Sequence, residues 1–224
     1  MSVRGRGLAH DIQARLRRPS SAVKRGRGQP RGPSQQRVRC LARRRGRPPG
    51  RLSWRSATHL HQEGTMGAKS EALAKQFEAK VQDAAAVMQK LSDVDWKKTT
   101  PGEKWTVGVV AHHVASSHEG IANIVKAVAS GQAMPTFTVE MLDAMNHKHA
   151  QENANATKAH TLVLHQKNAT AAAVAVRALS DDQLAKSATV LQGVPAMSVE
   201  QMITGILIGH VDEHVGSIRK TVGA

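Results

Sequence analysis

Near the carboxyl end the stretch HVDEHVGSIRK places His210 and His214 four residues apart, which is about one turn of an α-helix. Two imidazoles on adjacent turns offer two nitrogen donors. A third from another segment would complete a set able to hold a divalent ion and leave one coordination position open. An ion held that way lowers the pKa of a bound water or thiol and supplies a nucleophile at neutral pH. The competing reading is bland: a histidine on an apolar helix face is often a core residue bonded to a carbonyl.

Helical phase narrows the choice, at 100° per residue. In the stretch VGVVAHHVASSHEGIANIVKAVAS, with Ile124 as zero, Val110, Ser117, Ile121 and Val128 fall within about 60°. His113 falls about 20° from Ile124, at the centre of that stripe, and His112 about 120° away, which predicts solvent for His112. In the last helical stretch, with Ile206 as zero, His210 lands near about 40° and His214 near about 80°, both within the apolar face. Glu213 lies about 20° from Ile206 and is a candidate base or partner to a ligand histidine. His118, His147, His160 and His165 read as surface or polar-face residues.

These residues need helices to position them, and the pattern from Met66 onward is helical almost throughout. Leu73, Phe77, Val81, Ala84, Met88 and Leu91 repeat at three- and four-residue spacing in the first stretch. SDVDWKKTTPGEKW breaks it. Thr106 can cap a second helix that Gly131 ends. A third starts near Thr138, with a fresh cap at Thr157, and Ser198 with Gln201 has capping-box spacing for a last helix running to about Val222. Four principal helices, with no competing strand or repeat, predict an antiparallel or crossed four-helix bundle. Val211, Val215 and Ile208 around the last helix suit either a homodimer face or a bundle packed on every side.

Composition divides the chain. Residues 1–65 hold 17 Lys and Arg against Asp11 and Glu63, whereas 66–224 hold 15 basic and 15 acidic residues. The net charge of +15 therefore belongs to the leading segment and says nothing about the body's partners. No apolar run approaches the roughly 18 residues needed to span a bilayer, so no membrane association is expected. The single cysteine, Cys40, precedes the body, which can have no disulfide and no thiol nucleophile. A cytoplasmic location follows as the default.

With the two histidine stretches in hand, the sequence resembles the DinB-like superfamily of helical bundles, which includes bacillithiol- and mycothiol-dependent transferases. The resemblance is carried by WTVGVVAHHV, a Trp-[ST]-Val opening with His113 eight residues after Trp105, and by HVDEHVGSIRK, where relatives often read H-x-x-x-H-x-G-Q-[IL]. It covers residues 66–224. It implies an all-α four-helix bundle whose three metal ligands fall on His113, His210 and His214, the same three that phase selects. Ser217 stands where many relatives have Gln, a departure that bears on the substrate. The implied cofactor is Zn²⁺ or Ni²⁺, with a small thiol as cosubstrate and a small-molecule substrate. The implied activity is transfer or hydrolysis at the metal; the alternative is a non-catalytic, stress-related bundle that binds metal or ligand. Asn146 and His149 are further pocket candidates, and Trp105 reads first as a packing anchor for the second helix.

The stretch VKRGRGQPRGPSQQRVRCLARRRGRPPGR is rich in Gly, Pro, Ser and Arg without apolar periodicity and is expected to be disordered. A nucleic-acid arm or a transit peptide would use such residues, but the preferred reading is an upstream extension with Met66 as the working start. Deleting residues 1–65 should then leave the thermal unfolding midpoint and any activity unchanged, as followed by circular dichroism. Loss of folding would refute it.

Overall fold

The computed structural model describes residues 67–224; the expectations for residues 1–65, for Met66 and for Cys40 lie outside them. Helix α1 (Ala68–Lys90) forms where the apolar stripe predicts it, and Leu73, Phe77, Val81, Ala84 and Met88 are all buried along it. The following break is not wholly irregular. Ser92 and Asp95 close a capping box around the one-turn helix α2 (Asp93–Lys97), each satisfying the other's free backbone donor.

Thr106 caps α3 (Val107–Ser130) by accepting from Val109 N, and Gly131 ends it at φ 79°. That left-handed backbone carries a steric cost for any residue with a Cβ. Thr138 caps α4 (Val139–Glu152) and Thr157 caps α5 (Lys158–Arg177). Capping boxes at Ser180–Gln183 and Ser198–Gln201 open α6 (Asp181–Ala185) and α7 (Val199–Gln201). The last helix is continuous but changes register: α7 passes into a π-helical stretch (Met202–Ile208) and then into α8 (Gly209–Val222).

Contrary to the expectation of no strand, β1 (Ser187–Ala188) and β2 (Met197–Ser198) pair antiparallel. The pairing pins both ends of the loop between α6 and α7, and Val199 N donates to Lys186 O at 2.8 Å beside it.

Packing among the four long helices does not follow chain order. α5 lies against both α1 and α3, and α8 also lies against both. α1 and α3, successive long helices, are therefore diagonal, and so are α5 and α8. Arg177 at the end of α5 reaches Glu78 with two guanidinium nitrogens at 2.7 and 2.6 Å and Glu71 with a third at 2.9 Å, fastening α5 to α1. Because the last helix is enclosed from both sides, Ile208 at the end of its π-helical stretch and Val211 and Val215 of α8 are core residues, at most 7% exposed. Their burial is within the chain itself, which fits the bundle packed on every side. No helix among the described residues is long and apolar enough to cross a membrane.

Phe77 is fully buried in this core. Phe77→Ala should lower the unfolding free energy by about 3–5 kcal/mol, whereas Val94→Ala, at a side chain 72% exposed, should change it by less than about 0.5 kcal/mol; urea denaturation midpoints read both.

Candidate metal centre

α3 and α8 meet where their histidines lie. His113 comes from the second turn of α3, and His210 and His214 from successive turns of α8. One nitrogen from each of the three lies within 4.8 Å of the others. The ring centroids are 4.9 Å apart for His113–His210, 5.1 Å for His113–His214 and 4.4 Å for His210–His214. Nε2 of His113 and Nε2 of His210 face each other at 3.0 Å. Burial, reinforced by the neighbouring His214, holds His113 and His210 well below the usual imidazole pKa. Both are neutral at pH 7 and keep a lone pair for a ligand.

The partner that organises the cluster is Glu103. Its Oε1 accepts from His214 Nδ1 at 2.9 Å and its Oε2 from Ser217 Oγ at 2.6 Å. Burial pushes this carboxyl up, but hydrogen bonds from His214, Ser217 and Thr100 outweigh it and hold the pKa at about 2. An ionised carboxylate only accepts, so Nδ1 of His214 carries a proton, and in the neutral ring the lone pair is on Nε2. That Nε2 is buried with no hydrogen-bond partner, and so is Nδ1 of His210. A carboxylate fixing one imidazole nitrogen while the other is left as a bare donor is the arrangement found around protein-bound metals. The three histidines fit a divalent ion by number, by proximity and by the tautomer of His214.

A tight loop presents Glu103. Val107 N donates to Lys98 O at 2.8 Å and Thr100 N to Trp105 O at 2.8 Å, closing residues 98–107 on themselves. Lys104 takes φ 63° at its tip, a left-handed conformation that costs a non-glycine residue roughly 1–2 kcal/mol. Trp105 packs its ring edge-on against His113 at 5.4 Å, so the expected anchor at the start of the second long helix also buttresses a cluster histidine.

Beside the cluster opens a cavity of about 490 Å³ reached by His113 and His210 but not by His214. Asn146 and His149 of α4 line it, as the sequence suggested. Its far wall is a short bridge in which Phe137 N donates to Val190 O at 2.9 Å and Gln192 N to Phe137 O at 2.8 Å.

Other expectations fail for identifiable reasons. Glu213 is half-buried, is not one of the three grouped nitrogen donors and does not line the cavity. Its phase was measured from Ile206, which lies in the π-helical stretch; measured from the two histidines it is about 80° off their midpoint, and Ser217 about 40°. The acid bonded to a cluster histidine is Glu103, and the only sequence signal for it was an acid two residues before Trp105. His112 is 7% exposed rather than solvated. Its Nδ1 lies 3.4 Å from His149 Nε2 and its ring stacks on His160, because α4 and α5 cover a helix that the wheel assumed to have one buried face.

His118 and His165 are also fully buried. His165 Nε2 donates to Val81 O, so its Nδ1 accepts from His118 Nε2 at 3.1 Å. Burial, with a smaller push from His165, holds the His118 pKa at about 3. The buried stripe of α5 is Thr161, His165, Asn168, Ala172 and Val176, at helical spacing but too polar to be read as a core face. His147 and His160 are exposed as expected.

Comparison with known proteins places this geometry. No curated protein matches the sequence. Two solved structures share the fold. A mutant of the mycothiol-dependent maleylpyruvate isomerase superposes with a TM-score of 0.55 at 13% identity, over 66% of this chain and 60% of that one. The chain thus spans only 60% of that isomerase. YfiT from Bacillus subtilis, described as a probable metal-dependent hydrolase with an unusual four-helix bundle topology, superposes with a TM-score of 0.52 at 19% identity, over 69% and 86%. The family described as mycothiol maleylpyruvate isomerase N-terminal domain matches residues 77–205, and the chain belongs to that family, within the DinB-like superfamily.

Proposed function

We propose that the protein is a divalent-metal-dependent enzyme in which His113, His210 and His214 hold one ion and the adjoining cavity presents a small electrophile to a thiol or a water. The observation that carries this reading is the bare, buried Nε2 of His214 with Glu103 bonded to the opposite nitrogen. Three imidazole donors suit Zn²⁺ or Ni²⁺. When bound, such an ion supplies an open position and acidifies the water or thiol that takes it.

The chain's own residues do the rest. Glu103 keeps His214 in the ligating tautomer and turns its ring toward the other two. Trp105 and the apolar helix faces keep bulk water from the rear of the cluster. His149, half-buried, is the one titratable side chain in the cavity lining besides His113 and His210. Burial, and then the neighbouring His112, lower its pKa, so it is a neutral acceptor for the proton released when the nucleophile ionises. With Cys40 the chain's only cysteine, a thiol would come from a small cosubstrate. The names of the two structural neighbours support both a thiol-dependent and a hydrolytic reaction.

The full-length protein, purified without a histidine tag, should carry close to one transition metal per chain by mass spectrometry, and His210→Ala should carry none. Absence of metal in the parent after reconstitution at neutral pH would make the three histidines core residues. Glu103→Gln should weaken metal affinity by about 10–100-fold in chelator competition while leaving the helical content intact. Conversion of an electrophile by thiol or water should require both the metal and His210; bound metal without turnover across thiol cosubstrates would instead favour a non-catalytic binding bundle.

A further inference from the structure

The cavity's lining carries information about what enters it. The walls are Ile121, Ile124, Phe137, Leu142, Met145 and Ile206, among others, and no Lys, Arg, Asp or Glu contributes to them. The polar groups are few and neutral. Ser116 spends its hydroxyl on His113 O at 3.1 Å within α3. Ser117 adds a hydroxyl and His149 an imidazole engaged with His112, and Asn146 is the lining's one carboxamide, with no hydrogen bond engaging it within the described residues.

We infer that the cavity takes an uncharged, largely apolar molecule with a single neutral polar group, oriented by the Asn146 carboxamide toward the His113–His210 end, and that it discriminates against dicarboxylates. This rests on the reading of the cavity as the substrate chamber of the metal centre. The volume of about 490 Å³ lies in the range of chambers that enclose small organic ligands. Apolar walls favour a ligand body that leaves water on entry. A carboxylate among them must surrender its hydration with no counter-charge to replace it. An ion at the histidines can neutralise one anionic group at that end. A second charge, held along the body of the ligand, meets Ile124, Leu142 or Ile206 and has no charged partner. Asn146 offers a donor and an acceptor without a charge, the chemistry that recognises a carbonyl, ether or hydroxyl rather than an ion.

The test uses the full chain loaded with zinc, its metal content read by mass spectrometry in every sample. The fluorescence of N-phenyl-1-naphthylamine, an uncharged probe, reports occupancy. Naphthalene-2-methanol should displace it at a concentration lower by roughly tenfold or more than naphthalene-2,6-dicarboxylate, since each tenfold needs only a modest difference in binding free energy. Equal or better displacement by the dicarboxylate overturns the inference, as does failure of the probe to bind.

Two variants keep the result tied to this cavity. Ile124→Trp, which fills it, should weaken the probe by roughly tenfold. Met145→Lys, at a rim side chain 55% exposed where the charge reaches solvent, should cut the preference for the neutral compound to roughly threefold or less. An unchanged preference in Met145→Lys, together with unchanged probe binding in Ile124→Trp, places the ligand elsewhere and overturns the inference. The metal reading fails separately: a chain that holds no zinc but binds the probe with the same neutral preference retains the cavity's selectivity and loses the metal centre.

Discussion

The pairing of Glu103 with His214 is the interaction on which the site depends. His214 has no solvent exposure, and its carboxylate partner is 5% exposed. Two such groups in a helical core are tolerated only when each satisfies the other, because a buried polar group without a partner costs more than a hydrogen bond returns. Ser217 takes the second carboxylate oxygen, so every strong acceptor of Glu103 is used. What is left over is one imidazole nitrogen grouped with two others, the feature on which the proposed metal binding rests.

The bundle's topology makes this pairing available. With α1 and α3 diagonal rather than adjacent, α8 inserts between them and meets α3 along its first turns. The loop from α2 to α3 then lies over α8 and lowers Glu103 onto it. A chain-order bundle in which α1 packed directly on α3 would close that side. The π-helical stretch contributes as well: its i→i+5 hydrogen bonding shifts the register of the last helix just before His210, and π segments frequently occur where a helix must aim side chains into a site. α4 stands outside the four-helix core and roofs the cavity, bringing Asn146 and His149 to the front of the cluster.

The histidines fall into three groups, two of which touch where His149 packs edge-on against His113 at 5.1 Å. His113, His210 and His214 share an apolar core with a carboxylate behind them. His118 and His165 form a pair that ends on the Val81 carbonyl, with His118 Nδ1 buried and unpartnered at its other end. His112, His149 and His160 form a layer of ring contacts nearer the surface. Residue type alone does not separate these groups. The partner of each imidazole does, since the group bonded to one nitrogen decides what the other nitrogen can offer.

Much of this was legible in the chain before any coordinates. Caps at Thr106, Thr138, Thr157, Ser180 and Ser198, the glycine at 131 and the stripe from Leu73 to Met88 are local signals, set by backbone hydrogen bonds within a few residues and by a fixed angular period. The same period picked out His113, His210 and His214 as inward-facing. Tertiary structure alone decided that Glu103 meets the cluster, that Ser217 holds it, and that His112, His118 and His165 are buried. Glu103 and His214 are 111 residues apart, and no helical period connects them. A wheel describes one helix with one wet side, whereas α3 is covered on nearly every side over its first turns, and the buried stripe of α5 is polar because its partners, not its composition, make it a core.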